Sequence, residues 1–180
     1  MGADGAHVGA YGATATELLP RHDARAPRAS RVTDDWVDLL FCLLDAGARF
    51  LVVGAHAMAV HGVPRGTQDL DVWIDSSTEN ADRVWRALNV FGAPLETLRI
   101  TRDDFTTPSI VVQLGLPPSR VDLMTGISGV REFTSAWERR VEHPVRGRMV
   151  PFLGRAELIT NKRAAGRTKD LADLEELGER

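Results

Sequence analysis

The segment RGTQDLDVWID, residues 65 to 75, constrains the fold more than any other part of the chain. Leu70, Val72 and Ile74 alternate there with Asp69, Asp71 and Asp75. Successive side chains of a strand point to opposite faces. The alternation therefore predicts a strand with Leu70, Val72 and Ile74 on one face and Asp69, Asp71, Trp73 and Asp75 on the other. Two acids at i and i+2 have Cα atoms roughly 6.5 Å apart. Left alone, their charges repel and their pKa values rise. A bound cation removes the conflict, and hard oxygen ligands at this spacing suit Mg²⁺. Two such ions roughly 3.5–4 Å apart can clamp the attacking and leaving oxygens of a phosphoryl or nucleotidyl transfer. Ordinary solvated alternation on an exposed strand face is the plainer reading of the pair.

A two-metal site usually needs a third carboxylate from a neighbouring strand. SRVDLMTG offers Asp122, which lies between Val121 and Leu123 and so points away from both. Asp122 can complete a metal site and accept the proton of an attacking hydroxyl. Its alternative is a salt bridge to Arg120. Asp75 reads as a strand-end residue or a contact to the helix start that follows.

The remaining pattern is that of one α/β (α+β) domain, residues 32–180, behind a tail over residues 1–31 rich in Gly, Ala, Arg and Pro. DDWVDLLFCLLDAGARF has helical spacing at 36, 39, 40, 43 and 44, with Asp34 or Asp35 as its cap and Gly47 as its end. FLVVG is a short buried strand, AHAMAVHG a short helix closed by Gly62, and STENADRVWRALNVFG a capped amphipathic helix ending at Gly92. TRDDF is a short turn. SIVVQLG and RVDLMTG are two strands, EFTSAWERR a helix, and VEHPVRGRMVPFL a hairpin about Arg146 and Gly147. A helix pair, RAELITNKRAA and KDLADLEEL, completes the chain.

No apolar stretch approaches the roughly 20 residues of a membrane span, and the N-terminus has no signal-peptide core, so the expected location is cytoplasmic. A net charge of -3 does not suggest a protein that coats nucleic acid. The single cysteine, Cys42, forms no intramolecular disulfide and reads as a small apolar residue. Of 22 basic residues only Lys162 and Lys169 are lysines, both near the C-terminus. In a chain that otherwise uses arginine, a lysine supplies a compact point charge rather than a planar fork.

FLVVGAHAMAVHGVPRGTQDLDVWID resembles the first motif of the polymerase-beta-type nucleotidyltransferases, in which a strand, a glycine turn and a short helix lead into a strand bearing D-x-D. It is most similar to the branch of AbiEii-type toxins and minimal nucleotidyltransferases. RVDLMTG fits that family's third-aspartate strand, and LITNKRAAGRTKDLADLEEL resembles the branch's C-terminal K…R.KD..D motif. The resemblance spans roughly residues 36 to 177. It implies a mixed-sheet nucleotidyltransferase core with flanking helices and a C-terminal helix pair. Asp69, Asp71 and Asp122 would be the catalytic carboxylates and the ligands of Mg²⁺, in two ions. Gly54, Ala55 and the first amides of the following helix would hold a nucleoside triphosphate. Ala55 stands where the family has a second glycine.

Arg65 could pair with the triphosphate or balance the carboxylates, and Lys162 is the expected phosphate contact of the C-terminal segment. Thr67 reads as a loop brace, His61 as a helix-end residue, and His56 as either a phosphate contact or a surface residue. Arg167, Lys169 and Asp170 read as an ion-pair network, and structural roles are favoured for Asp170 and Asp173. The expected reaction moves a nucleoside monophosphate from an NTP to an acceptor hydroxyl on a protein, an RNA or a small molecule. The chain has little room for a separate acceptor domain, which suggests an oligomer or a protein partner such as an antitoxin. A catalytically silent binding module of the same fold is the rival, favoured by Ala55, and a phosphohydrolase is a third reading.

Overall fold

The computed structural model describes residues 28–179. Among these, the strands are β1 (Phe50–Val52), β2 (Asp69–Ile74), β3 (Val111–Leu114), β4 (Arg120–Met124), β5 (Val141–Val145) and β6 (Arg148–Phe152). The helices are α1 (Arg28–Asp45), α2 (Gly54–Val60), α3 (Thr78–Phe91), α4 (Phe133–Glu138), α5 (Arg155–Ala165) and α6 (Thr168–Glu176). The strands form a mixed sheet in the order β3-β4-β2-β1-β6-β5. β2 runs parallel to β4 and antiparallel to β1, which in turn is parallel to β6. This is the α+β architecture that the sequence pattern predicts.

The expected tail lies, up to residue 27, outside the described residues. α1 starts at Arg28, upstream of the expected Asp34–Asp35 cap. Pro27 directly precedes it, and no Gly or Pro falls within it. The helix therefore meets no breaker before the proline. The TRDDF turn is a 3-10 turn over Arg102–Phe105, closed by a reciprocal capping box between Thr101 and Asp104. The β5–β6 hairpin turns through Arg146 and Gly147, both at positive φ, as a tight two-residue turn requires.

The apolar face of β2 drives the packing. Leu70, Val72 and Ile74 are at most 2% exposed and join a core with Leu39 and Leu43 of α1 and Val84 and Leu88 of α3. β1 is wholly buried, as expected for a strand inside the sheet whose residues are all apolar. Trp73 lies on the acidic face yet is also buried, edge-on to Phe133 at a centroid distance of 5.0 Å. Thus only the Asp69–Asp71 end of that face meets the cleft described below.

Asn80, in the first turn of α3, fixes how β1 and β2 enter and leave the sheet. Its Oδ1 accepts from the Arg49 backbone N–H at 2.7 Å. Its Nδ2 donates to the carbonyls of Arg49 at 2.9 Å and Asp75 at 2.8 Å. Ser77 caps the same helix by accepting from the Asn80 N–H. Asn80→Ala would leave the Arg49 amide without its acceptor and is expected to cost about 2 kcal/mol. A urea melt compared with Arg86→Ala, exposed on the same helix, checks this; equal midpoints would contradict it.

Candidate active site

The register of β2 and β4 brings the acids together. Asp71 lies opposite Asp122, Asp69 opposite Arg120 and Trp73 opposite Met124. Residues paired across neighbouring strands share a face and stand about 4.8 Å apart. Asp71 is therefore nearer to Asp122 than to Asp69 along the backbone. On the other side of β4, Gln113 of β3 faces Asp122. All three carboxylates line one cleft of about 1150 Å³, together with Gly54, Ala55, Arg65, Gln113, Arg120, Lys162 and Lys169. The cleft thus gathers Asp69, Asp71 and Asp122 with Gly54, Ala55, Arg65 and Lys162, but not His56.

Burial pushes the Asp71 carboxyl above its ordinary value, and the neighbouring Asp69 charge pushes it further, against the pull of Lys169, Arg120 and Lys162. Asp122 is raised by burial too, opposed first by Arg120 and reinforced by Asp71 and Asp69. Arg120 spans two of the acids. Its Nη2 lies 2.6 Å from Asp69 Oδ2, and its Nε lies 3.3 Å from Asp122 Oδ1. The second contact is an ion pair without hydrogen-bond geometry, since Arg120 Nε and Asp122 Oδ1 are both buried without a hydrogen-bond partner. Asp69 Oδ1 is likewise buried and unpartnered. Buried carboxylate oxygens normally find donors or a cation. Two such oxygens beside a third, electrostatically stressed acid form a donor set that fits a hard divalent cation. Among the described residues, no three His, Cys, Asp or Glu side chains stand close enough as they lie to hold a metal together.

The glycine turn ahead of α2 meets this cluster directly. Gly54 has φ +62, and a Cβ there would fall 2.0 Å from Asp71 Oδ2. Glycine is required both for the backbone conformation and for the space. Ala55 is different: it is helical, 4% exposed and not among the positive-φ residues. Its methyl group therefore asks nothing of the turn that only glycine could give.

Lys162 lines the cleft but is 3% exposed, and its ammonium is bound elsewhere. Its Nζ donates to Asp170 Oδ1 at 2.9 Å and to Asp173 Oδ2 at 2.5 Å. Arg167 Nε donates to Asp170 Oδ2 at 2.6 Å, and Arg65 Nε lies 3.2 Å from Asp173 Oδ1. Two buried acids of α6 thus hold a lysine of α5, an arginine of the α5–α6 turn and an arginine of the loop before β2. Burial alone would raise the Asp170 carboxyl, but the Arg167 and Lys162 hydrogen bonds outweigh it and hold the group down to about 2. This cluster is the ion-pair network expected around Asp170, with Lys162 and Arg65 inside it and Lys169 outside. Lys169 is exposed, lines the cleft and has no ion-pair partner among the described residues. Its rank as one of two lysines was the available signal.

Thr67 braces its loop through both the amide and the carbonyl of Asp69. His61 binds the Leu153 carbonyl at 2.8 Å from the end of α2. His56 packs edge-on to Trp36 rather than lining the cleft, and burial lowers its pKa. Asp75 pairs with Arg49 and accepts from the Ser77 N–H ahead of α3. Gln113 escaped the sequence reading, although its phase, opposite to Val112 and Leu114, places it on the acidic face.

No family model matches the chain, and no curated protein matches it. A solved structure from Thermotoga maritima, named as a candidate nucleotidyltransferase, is similar in fold, with a TM-score of 0.55 and 19% identity. The likeness covers 89% of this chain and 100% of that one. The chain therefore shares that structure's fold, and the expected mixed-sheet α+β architecture holds.

Lys162→Ala is expected to cost about 3 kcal/mol at neutral pH, because it strips the cation from two buried acids. Arg163→Ala, which loses an exposed contact to Glu179, is expected to cost less than about 1 kcal/mol. A carboxyl held low in the folded state stabilises above its ordinary value of 3.8, and that contribution fades as pH falls toward about 2. The difference between the Lys162 variant and wild type should therefore narrow in acid unfolding curves, and a gap constant down to pH 2 would contradict the assignment.

Asp71 has the opposite sign. Its raised carboxyl gives a penalty that is absent below the ordinary value and complete above the raised one. Asp71→Asn is expected to raise the melting temperature of the cation-free protein at pH 7 and to leave it unchanged below about pH 4. A lower melting temperature at pH 7 would show that the charge is compensated within the fold.

Proposed function

We propose that this chain is a Mg²⁺-dependent nucleotidyltransferase that moves a nucleoside monophosphate from an NTP to an acceptor hydroxyl, with pyrophosphate leaving. The observation that carries the reading is the alignment of Asp69, Asp71 and Asp122 on one face of two parallel strands, with unpartnered carboxylate oxygens in a shared cleft. The fold is consistent with it.

Asp69, Asp71 and Asp122 would hold the cation. Bound there, Mg²⁺, expected as a pair of ions, supplies positive charge against the α-phosphate and the leaving pyrophosphate. Asp122, beside the cation, would accept the proton of the attacking hydroxyl. Gly54 keeps the wall beside Asp71 free of a side chain. Lys169 meets the triphosphate, as a cleft cation with no ion-pair partner among the described residues. Lys162 and Arg65, tied to α6, hold the wall on which Lys169 is carried. The clustering of Lys162, Arg167, Asp170 and Asp173 around that wall supports the AbiEii-like branch. That branch would place the protein in the cytoplasm beside an antitoxin or another partner that presents a protein, RNA or small-molecule acceptor.

A silent nucleotidyltransferase-fold binding module is favoured by one observation: Arg120 already pairs with Asp69 and Asp122, two of the acids that would hold a cation. Calorimetry with ATP and GTP, with and without Mg²⁺, together with mass spectrometry of candidate acceptors, separates the two readings. Binding is expected to require Mg²⁺, to weaken in Asp71→Asn, and to weaken about tenfold in Lys169→Ala, the value of one charge-assisted contact. Equal binding by wild type and Asp71→Asn would defeat the metal-dependent reading. Tight Mg²⁺-dependent binding without any labelled acceptor would favour the silent module.

A further inference from the structure

We propose that Arg120 is an internal counter-ion that occupies the acid cluster in the cation-free protein and must leave Asp69 and Asp122 before a divalent cation binds. The inference rests on the cation-binding reading above.

Three features of this chain carry it. Arg120 is paired in register with Asp69 and lies two residues before Asp122 on the same strand face. Its guanidinium therefore reaches both acids without leaving the sheet, at 2.6 Å and 3.3 Å. Its grip is incomplete. Arg120 Nε, Asp69 Oδ1 and Asp122 Oδ1 all stay buried without hydrogen-bond partners, and Asp122 as a whole is 9% exposed. A permanent structural pair would normally satisfy these atoms, because an unmet buried charge is costly. Finally, the Arg120 side chain is 31% exposed and borders the cleft, so it has somewhere to go. Compare Lys162, whose side chain is 3% exposed and whose two acids are both hydrogen-bonded to it. The Lys162 contacts are thus closed and those of Arg120 open, and the open ones coincide with the three aligned acids.

The consequence is a competition. A cation sees only the fraction of molecules in which Arg120 has swung away, and its apparent affinity falls by that fraction. Arg120 is then a positioning residue that keeps the acids folded together when no cation is present and sets how much cation is needed to open the site.

Mn²⁺ binding by calorimetry and by electron paramagnetic resonance, without any nucleotide, tests this on wild type, Arg120→Gln and Asp71→Asn. The expected result is that Arg120→Gln binds Mn²⁺ about tenfold more tightly than wild type, as it would if Arg120 covers the site in about nine molecules of ten. The same variant should melt lower without cation and recover more on adding Mn²⁺ than wild type does. A merely structural arginine would give weaker Mn²⁺ binding on removal, and that result overturns the proposal. Equal affinities also overturn it, while leaving the cation site standing if Asp71→Asn binds more weakly. Absence of Mn²⁺ binding in both wild type and Arg120→Gln defeats the cation reading itself, and the proposal with it.

Discussion

Two like charges held about one strand spacing apart are the constraint on which this structure turns. β2 and β4 are parallel, in register, and buried on their apolar sides, so neither can slip by one residue without exposing Leu70, Val72, Val121 and Leu123. The hydrophobic core thereby fixes the distance between Asp71 and Asp122. Repulsion between them is not relieved by moving apart, because moving apart would open the sheet. It must be relieved by protons, by Arg120 or by a cation. The fold stores an electrostatic conflict at one place and supplies the packing energy that maintains it.

The acidic face of β2 was legible in the sequence because a strand has a two-residue period, and Asp122 was legible for the same reason. What a period cannot give is the neighbour of a strand. Nothing in RVDLM says that it lies beside DLDVW, or that Arg120 comes level with Asp69 rather than with solvent. Lys162 shows the same limit in a helix. Its place beside the buried stripe of α5 followed from Leu158 and Ile159. Its partners belong to α6, across the reversal at Gly166, and only the packing of the two helices reveals that the ammonium faces Asp170 and Asp173. Ala55 illustrates the converse. The motif made it a departure, while the backbone shows that the conformational demand falls on Gly54 alone.

The α5–α6 pair is more than a lid on one side of the cleft. Asp173 joins Lys162 to Arg65, and Arg65 belongs to the loop that leads into β2. The loop that delivers Asp69 is therefore braced twice, by Thr67 from within and by α6 from outside. Residues far apart in sequence thus share one task, which is to hold the strand entrance still.

The sheet order also makes its two borders unequal. β5 forms one border and carries Pro144, which has no N–H to offer an incoming strand, along with the exposed Glu142 and His143. β3 forms the other, with Val111 half exposed beside the cleft and no proline within the strand. Among the described residues, backbone pairing with another polypeptide is thus discouraged on one flank and left open on the flank that adjoins the acids. An extended chain that zipped onto β3 would lie one strand away from Asp122, so the border most open to self-association is also the one where an added strand would lie nearest the acids.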